Sequence, residues 1–110
     1  MADATEKIQA TINNNKIVLF MKGNRSFPQC GFSAATVEVF EALGVPFETV
    51  DVLADNEIRE GIKRYSNWPT IPQVYINGKF VGGCDIVREL YESGELEPMV
   101  KQASPVGASK

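Results

Sequence analysis

The uninterrupted apolar run Ile17–Met21 is the feature that most constrains the fold of this 110-residue chain. A short apolar run without polar alternation is typical of a strand whose two faces are both covered, as in a parallel sheet. A chain of this length can bury one such core but is too short for two ordinary domains. The run therefore predicts a small sheet with helices on both faces, in a single domain.

Segments with helical periodicity alternate with further strand-like segments along the rest of the chain. The predicted order is helix 4–14, strand 16–23, helix 30–44, strand 45–52, helix 56–66, hairpin 73–83, helix 86–94 and a helical turn at 96–102. Strand–helix–strand units predict parallel pairing with right-handed crossovers, and the hairpin adds antiparallel strands. We expect residues 1–110 to form one domain, with a core over about 4–102 and a flexible tail at 103–110.

Local signals mark several of these boundaries. Asp3 and Glu6 have capping-box spacing, and Asp55 is placed to cap the helix at 56–66. The Asn77-Gly78 pair between two apolar runs is a strong hairpin signal. Asp85 is the expected cap of the last long helix, whose predicted inward residues are Ile86, Leu90 and Tyr91.

Composition excludes several classes of function. The chain has no histidine, which removes serine–histidine hydrolases, cysteine–histidine proteases and histidine-ligated metalloenzymes. The formal net charge of −3 argues against nucleic acid as a partner, since no basic stripe is present to meet phosphates. No apolar run approaches the roughly 20 residues of a membrane helix, so we expect no membrane partner. The polar N-terminal sequence and the widely separated cysteines predict a cytoplasmic protein.

Cys30 is the first candidate functional residue. It lies where loop-like sequence changes to helix-like sequence, so the unpaired amides and the dipole of the helix favour an anion there. A thiol so placed has a lowered pKa and a larger thiolate fraction. The alternative is a buried, inert cysteine. The polar neighbours Gln29 and Ser33 favour an exposed junction and a functional thiolate.

Two further segments draw attention, although each has an ordinary structural interpretation. Pro72, in "WPTIP", is placed immediately before a strand, and the pattern alone leaves the isomer of its peptide bond open. In "GGCD", the glycines allow a close backbone approach and Asp85 begins a helix whose amides could meet a ligand carboxylate. Lys22 and Arg59 by themselves are ordinary solvated charges.

Taken together, "MKG" at 21–23, "PQCGFS" at 28–33 and "WPTIPQVYINGKFVGGCD" at 68–85 resemble a monothiol glutaredoxin of the CGFS type. The similarity covers about residues 4–102. It implies the thioredoxin fold, an α/β fold with a small mixed sheet flanked by helices. It also implies a cis peptide bond at Pro72, facing the reactive thiol of Cys30.

The resemblance assigns roles to particular residues. Cys30 is implied as the catalytic thiol and as the metal ligand. The implied glutathione-binding residues are Lys22, Phe32, Arg59, Ile71, Pro72, Cys84 and Asp85. These assignments agree with simple chemistry, because lysine and arginine can neutralise a glycine carboxylate and an extended segment can pair with the tripeptide backbone.

The resemblance implies glutathione and a [2Fe–2S] cluster as cofactors. A [2Fe–2S] cluster needs four thiolates, which Cys30 and one glutathione from each of two subunits would supply. The implied partners are glutathione, a second subunit in a homodimer, apo iron–sulfur acceptor proteins and BolA-type proteins. Ser33 replaces the second cysteine of a dithiol site, so a mixed disulfide at Cys30 cannot be resolved within that turn.

Three functions remain open at this point. The first is cluster transfer and assembly, together with thiol redox homeostasis. The second is a glutathione-dependent oxidoreductase, expected to be weak at most because a long loop, residues 23–29, precedes Cys30. The third is an iron- or redox-sensing adapter. Cys84 likewise has three open roles, as a packed neutral residue, a cluster ligand or a resolving thiol. We expect it to be reduced and dispensable for the cluster.

Overall fold

The structure is a computed structural model that describes residues 4–103. Its elements are α1 Ala4–Asn14, β1 Ile17–Met21, α2 Gly31–Leu43, β2 Glu48–Asp51, α3 Asn56–Ser66, β3 Gln73–Ile76, β4 Lys79–Gly82, α4 Cys84–Ser93 and α5 Leu96–Ala103. Predicted and observed elements agree in order and type. The tail was predicted over 103–110, but its first residue, Ala103, is the last residue of α5. Residues 104–110 and the predicted capping residue Asp3 lie outside the described residues.

β1 is the central element of the fold. The sheet order is β2-β1-β3-β4, and all five residues of β1 are buried. Alternate residues of β1 point to opposite faces, as the pleat of a strand requires. Ile17, Leu19 and Met21 join the core under α2, α4 and α5, whereas Val18 and Phe20 join the core under α1 and α3. The predicted mixed sheet with helices on both faces is confirmed.

Strand directions follow the prediction only in part. β2 is parallel to β1, as the first strand–helix–strand unit predicted. β3 also follows a helix, yet it pairs antiparallel with β1. Because β1 lies between β2 and β3 in the sheet, the second unit makes no strand pair of its own. The order of elements along the sequence cannot show this.

The hairpin and the cap of α3 match their predictions. Asn77 and Gly78 both have positive φ, of 54° and 81°, as the tight turn between β3 and β4 requires. The carboxylate of Asp55 accepts hydrogen bonds from the amides of Glu57, at 3.0 Å, and Ile58, at 3.3 Å. α3 therefore begins where the sequence placed it.

The predicted cap of α4 and two of its three predicted inward residues were wrong, whereas Leu90 is partly buried against the core as predicted. Gly83, in an extended conformation, precedes the helix as its N-cap, and Asp85 lies in the first turn without capping it. The buried side chains of α4 are Cys84 and Val87, whereas Ile86 and Tyr91 are 37% and 40% exposed. Hydrophobicity alone favoured the larger side chains, but the helix begins earlier and turns the small cysteine toward the core.

No helix among residues 4–103 is long and apolar enough to cross a membrane.

The contact between α1 and α3 depends on Gly61. A Cβ atom added to Gly61 would lie 2.9 Å from the Cβ of Ala4 and 3.2 Å from the Cδ1 of Ile8. Both distances are shorter than comfortable contacts, so the two helices approach each other this closely only because position 61 has no side chain.

We expect Gly61→Ala to lower the free energy of unfolding by about 1–2 kcal/mol, since overpacking costs roughly 1–3 kcal/mol and helix propensity returns up to about 1 kcal/mol. Gly31→Ala is the matched control, because no atom lies within 4 Å of a Cβ placed there. Urea unfolding of both variants measures the difference. Equal stability of the two variants would contradict the packing argument.

Candidate functional site

Cys30 is the N-cap of α2. Its backbone is extended, with φ −150° and ψ 135°, and its carbonyl accepts the first helical hydrogen bond from Ala34 at 2.9 Å. The side chain is partly exposed and does not cap the helix. The thiol therefore lies beside the amides at the start of the helix. The helix was predicted to begin at residue 30, but it begins one residue later, at Gly31.

These amides act directly on the thiol. The backbone amide of Ser33 lowers the pKa of Cys30 most strongly, and the Phe32 amide, the Ser33 hydroxyl and the charge of Lys22 lower it further. Partial burial opposes them by raising the pKa, and the net direction is downward. The structure thus gives Cys30 the raised thiolate fraction that its place in the sequence predicted.

Ser33 has a different environment from the predicted one. It was interpreted as part of an exposed polar junction, but its side chain is fully buried. The hydroxyl oxygen of Ser33 accepts a hydrogen bond of 3.1 Å from the amide of Lys22. Ser33 therefore joins the end of β1 to the start of α2, and its hydroxyl also lowers the pKa of Cys30.

The loop before Cys30 is closed by its own hydrogen bonds. The amide of Gln29 donates to the carbonyl of Lys22 at 2.9 Å, and the amide of Gly23 donates to the carboxylate of Asp51 at 2.9 Å. The side-chain oxygen of Asn24 accepts from the amides of Ser26 and Phe27. Gly23 has φ +87°, and a Cβ there would lie 2.5 Å from the Phe27 carbonyl oxygen.

Arg25 ties the same loop to the body of the protein. Its guanidinium lies 3.9 Å from the centre of the Phe47 ring and 3.5 Å from the carboxylate of Glu41. Phe27, at the other side of the loop, is 72% exposed. These contacts fix the conformation of the loop that precedes Cys30.

The segment Trp68–Pro72 forms the wall opposite Cys30. The peptide bond between Ile71 and Pro72 is cis, and both residues are buried. The sequence pattern left this isomer open, and the implied cis-proline is confirmed. Pro72 immediately precedes β3, where its missing amide hydrogen breaks no strand pairing.

The start of α4 completes the site. A Cβ added to Gly83 would lie 3.3 Å from the Pro72 carbonyl oxygen and 3.6 Å from the Trp68 Nε1. The predicted close backbone approach is therefore an approach to the Trp68–Pro72 segment. Cys84 is buried, with 6% exposure, and is not bonded to Cys30. Asp85 remains exposed at the rim.

These three walls enclose a groove of about 510 Å³. The structure brings all of the sequence-predicted site residues to it, namely Lys22, Cys30, Phe32, Arg59, Ile71, Pro72, Cys84 and Asp85. Phe32 is 62% exposed and lines the groove together with Cys30. An exposed phenylalanine next to the thiol can cover an apolar part of a ligand.

Sequence reasoning missed several lining residues. These are Lys63, Trp68, Pro69, Thr70, Gly83 and Ile86. Lys63 could have been found, since it follows Arg59 by one helical turn on α3 and so shares its face. Trp68 offered no comparable signal, because a lone tryptophan before a proline is equally typical of a core residue.

The groove is predominantly cationic. Lys22, Arg59 and Lys63 line it, and Asp85 is the acidic residue among its lining residues. The Nε of Arg59 and the Nε1 of Trp68 are buried and have no hydrogen-bond partner. Three cationic side chains and one carboxylate line the groove, so it suits a ligand that carries carboxylate oxygens.

The chain does not hold the donors of a complete metal site among the residues described. Residues 4–103 contain no cluster of three or more potential cysteine, aspartate or glutamate ligands. Cys30 can offer one partly exposed thiolate, and the groove beside it can hold a second donor on a small molecule. Cys30 could therefore serve a metal group only if the remaining ligands came from other molecules.

Comparison with known proteins identifies close relatives. The Glutaredoxin family model matches residues 17–81. An uncharacterized monothiol glutaredoxin of Synechocystis is 60% identical over 97 residues, covering 88% of this chain and 91% of its own. A probable monothiol glutaredoxin 2 of Rickettsia conorii is 58% identical, covering 86% of this chain and 88% of its own.

Solved structures agree with this result. Reduced apo GrxS14 from poplar has a TM-score of 0.78 at 49% identity and covers 88% of this chain and 89% of its own. A buckwheat glutaredoxin–glutathione complex has a TM-score of 0.82 at 30% identity, and the match covers 91% of this chain and 89% of the buckwheat chain. The predicted thioredoxin fold is confirmed by these neighbours.

Ser33→Ala should raise the pKa of Cys30, because the hydroxyl that lowers it is removed while the backbone amides remain. At neutral pH the thiolate fraction should fall, and the pH profile of iodoacetamide alkylation should move to higher pH. Thr36→Ala is the control, since its buried hydroxyl donates to the Phe32 carbonyl on the same helix. An unchanged profile in Ser33→Ala would contradict the role of the hydroxyl.

Proposed function

The chain belongs to the glutaredoxin family as a monothiol member, and on this premise we propose that it binds glutathione and carries a [2Fe–2S] cluster for transfer to acceptor apoproteins. The observation that supports this most strongly is the position of the Cys30 thiol. Cys30 is partly exposed and lines a cationic groove together with the Trp68–Pro72 segment. The volume of the groove falls within the range of about 300–1,000 Å³ typical of small-molecule sites.

Glutathione complements the groove at both of its ends. Lys22, Arg59 and Lys63 can neutralise the glycine carboxylate. At the other end, the γ-glutamyl group carries an ammonium and a carboxylate. Asp85 suits the ammonium, and the amides at the start of α4 suit the carboxylate.

The middle of the tripeptide would lie along Ile71. An extended ligand can pair its backbone with an extended protein segment, and Ile71 lines the groove beside the cis bond. This arrangement would place the glutathione sulfur next to Cys30. Phe32, largely exposed beside the thiol, would cover the apolar side of the ligand.

Cluster carriage follows from the number of thiolates. Each chain can offer Cys30 and one bound glutathione, whereas a [2Fe–2S] cluster needs four sulfur ligands. Two chains together meet this number, so cluster binding and dimer formation are expected to be coupled. Iron–sulfur apoproteins would then receive the cluster, and BolA-type proteins are the proposed regulatory partners.

A second candidate function is removal of glutathione from protein thiols. The lowered pKa of Cys30 favours it, because a thiolate is the attacking species. The Cys30 thiolate would attack the glutathione sulfur of a mixed disulfide, form a Cys30–glutathione disulfide and release the protein thiolate. A second glutathione thiolate would then regenerate Cys30 and leave as oxidised glutathione. The buried Ser33 hydroxyl cannot perform this second step.

Replacement of Arg59 or Lys22 by alanine should weaken glutathione binding by about 1–3 kcal/mol, the range for a lost hydrogen bond to a charged group. Arg64→Ala is the matched control, because Arg64 is exposed on α3 and does not line the groove. Calorimetric titration of the reduced proteins measures the difference. If all three variants bind glutathione equally well, the proposed ligand orientation is wrong.

Cys30→Ser should abolish the visible spectrum of a [2Fe–2S] protein after anaerobic reconstitution with iron, sulfide and glutathione. Cys84→Ser should retain the spectrum, since Cys84 is buried and dispensable in this proposal. Size measurement should give a monomer without the cluster and a dimer with it. A normal chromophore in Cys30→Ser would refute the ligand assignment, as would its loss in Cys84→Ser.

A further inference from the structure

The Trp68–Pro72 wall has little support from its own backbone. Each of its five residues lines the groove. Pro69 and Pro72 have no amide hydrogen, which removes two possible donors. The Trp68 amide donates to the Lys63 carbonyl at 3.2 Å. Among the described residues, no other main-chain hydrogen bond outside helices and strands involves the wall, which leaves Pro69, Thr70, Ile71 and Pro72 without one. A segment of this kind needs side chains to hold it.

Gln73 supplies that support from below the wall. Its side chain is fully buried. The side-chain amide donates to two carbonyls of the wall, that of Trp68 at 3.0 Å and that of Thr70 at 3.2 Å. Both amide hydrogens are used on one short segment, so the Gln73 side chain takes the place of the missing backbone bonds.

The rest of the Gln73 amide is anchored to the sheet. The Tyr75 hydroxyl donates to the Oε1 of Gln73 at 3.3 Å. Burial raises the pKa of Tyr75 to about 12, so the phenol remains protonated and remains a donor. Tyr75 is itself 2% exposed and packs against the Phe20 and Phe80 rings. Gln73 is therefore fixed at one end to β3 and at the other to the wall.

We propose that Gln73 is a positioning residue for the groove, whose two amide hydrogens hold the Trp68–Pro72 wall in the conformation that binds glutathione. This inference rests on the proposed function. Gln73 does not line the groove, so it acts through the backbone of the wall and not on the ligand. Removal of its donors should loosen the wall while the sheet stays intact.

Two substitutions test the donors. Gln73→Met keeps the length of the side chain and removes all of its side-chain hydrogen bonds, while the backbone pairing of β3 remains. Gln73→Glu keeps an oxygen that can accept from the Tyr75 hydroxyl, but it replaces the NH₂ group that donates to the Trp68 and Thr70 carbonyls by a second oxygen. In both variants, glutathione affinity measured by calorimetry on the reduced protein should fall by about tenfold, in line with the loss of two part-buried hydrogen bonds.

Trp68 provides a readout that a general loss of stability would not move. It is the single tryptophan of the chain, lies in the wall itself and has a buried Nε1. Its emission should shift to longer wavelength in both variants at temperatures where circular dichroism shows a folded protein. Tyr75→Phe is the matched control, because it disturbs the same buried network and leaves both donors to the wall. It should retain affinity within about twofold and the wild-type emission.

Folded Gln73→Met or Gln73→Glu with wild-type affinity and emission would overturn the proposal, as would an equal loss in Tyr75→Phe. If neither variant folds, exchange of the Gln73 side-chain amide protons in the wild-type protein decides, since protection supports the proposal and rapid exchange refutes it. Failure of the wild-type protein to bind glutathione would refute the proposed function. Trp68 emission and amide protection would still decide the role of Gln73.

Discussion

The rest of the structure depends on the burial of both faces of β1. A strand that is apolar on both sides needs cover on both sides, and α1 with α3 and α2 with α4 and α5 provide it. Such a strand must end where the chain turns polar, which is at Lys22. The carbonyl of Lys22 accepts from the Gln29 amide, and the amide of Lys22 donates to the Ser33 hydroxyl oxygen. The Lys22 side chain lines the groove. The core and the site are joined at one residue.

The site is built from chain segments where regular hydrogen bonding stops. α2 and α4 begin there, with amides that have no helical partner, and Trp68–Pro72 runs between α3 and β3 without regular structure. Unpaired polar groups are usually a cost at such points. Here the amides of α2 lower the pKa of Cys30, and Arg59 and Trp68, which each have a buried donor without a partner, line the groove. The backbone amides that have no partner within a helix are therefore the groups available to an anion.

The elements and many of the residues that line the groove were predictable because their signals are local or belong to motifs. The apolar run of β1, the Asp55 cap and the Asn77-Gly78 turn each act within a few residues. Contacts between distant segments were not predictable in this way. The direction of β3 depends on which strands are neighbours, and the burial of Ser33 depends on the end of β1 lying above α2. Periodicity shows a helix, but it does not show which face the rest of the chain will cover.

Ser33 is more than the absence of a second cysteine. Its hydroxyl accepts from the Lys22 amide and lowers the pKa of Cys30, so one small group serves both the core and the thiol. A thiol at this place would be a weaker donor and a weaker acceptor, and it would leave a buried amide poorly paired. It would also be able to displace glutathione from a mixed disulfide at Cys30. Serine therefore favours a Cys30 thiolate that no neighbouring thiol attacks, which is the property that the proposed shared cluster would require.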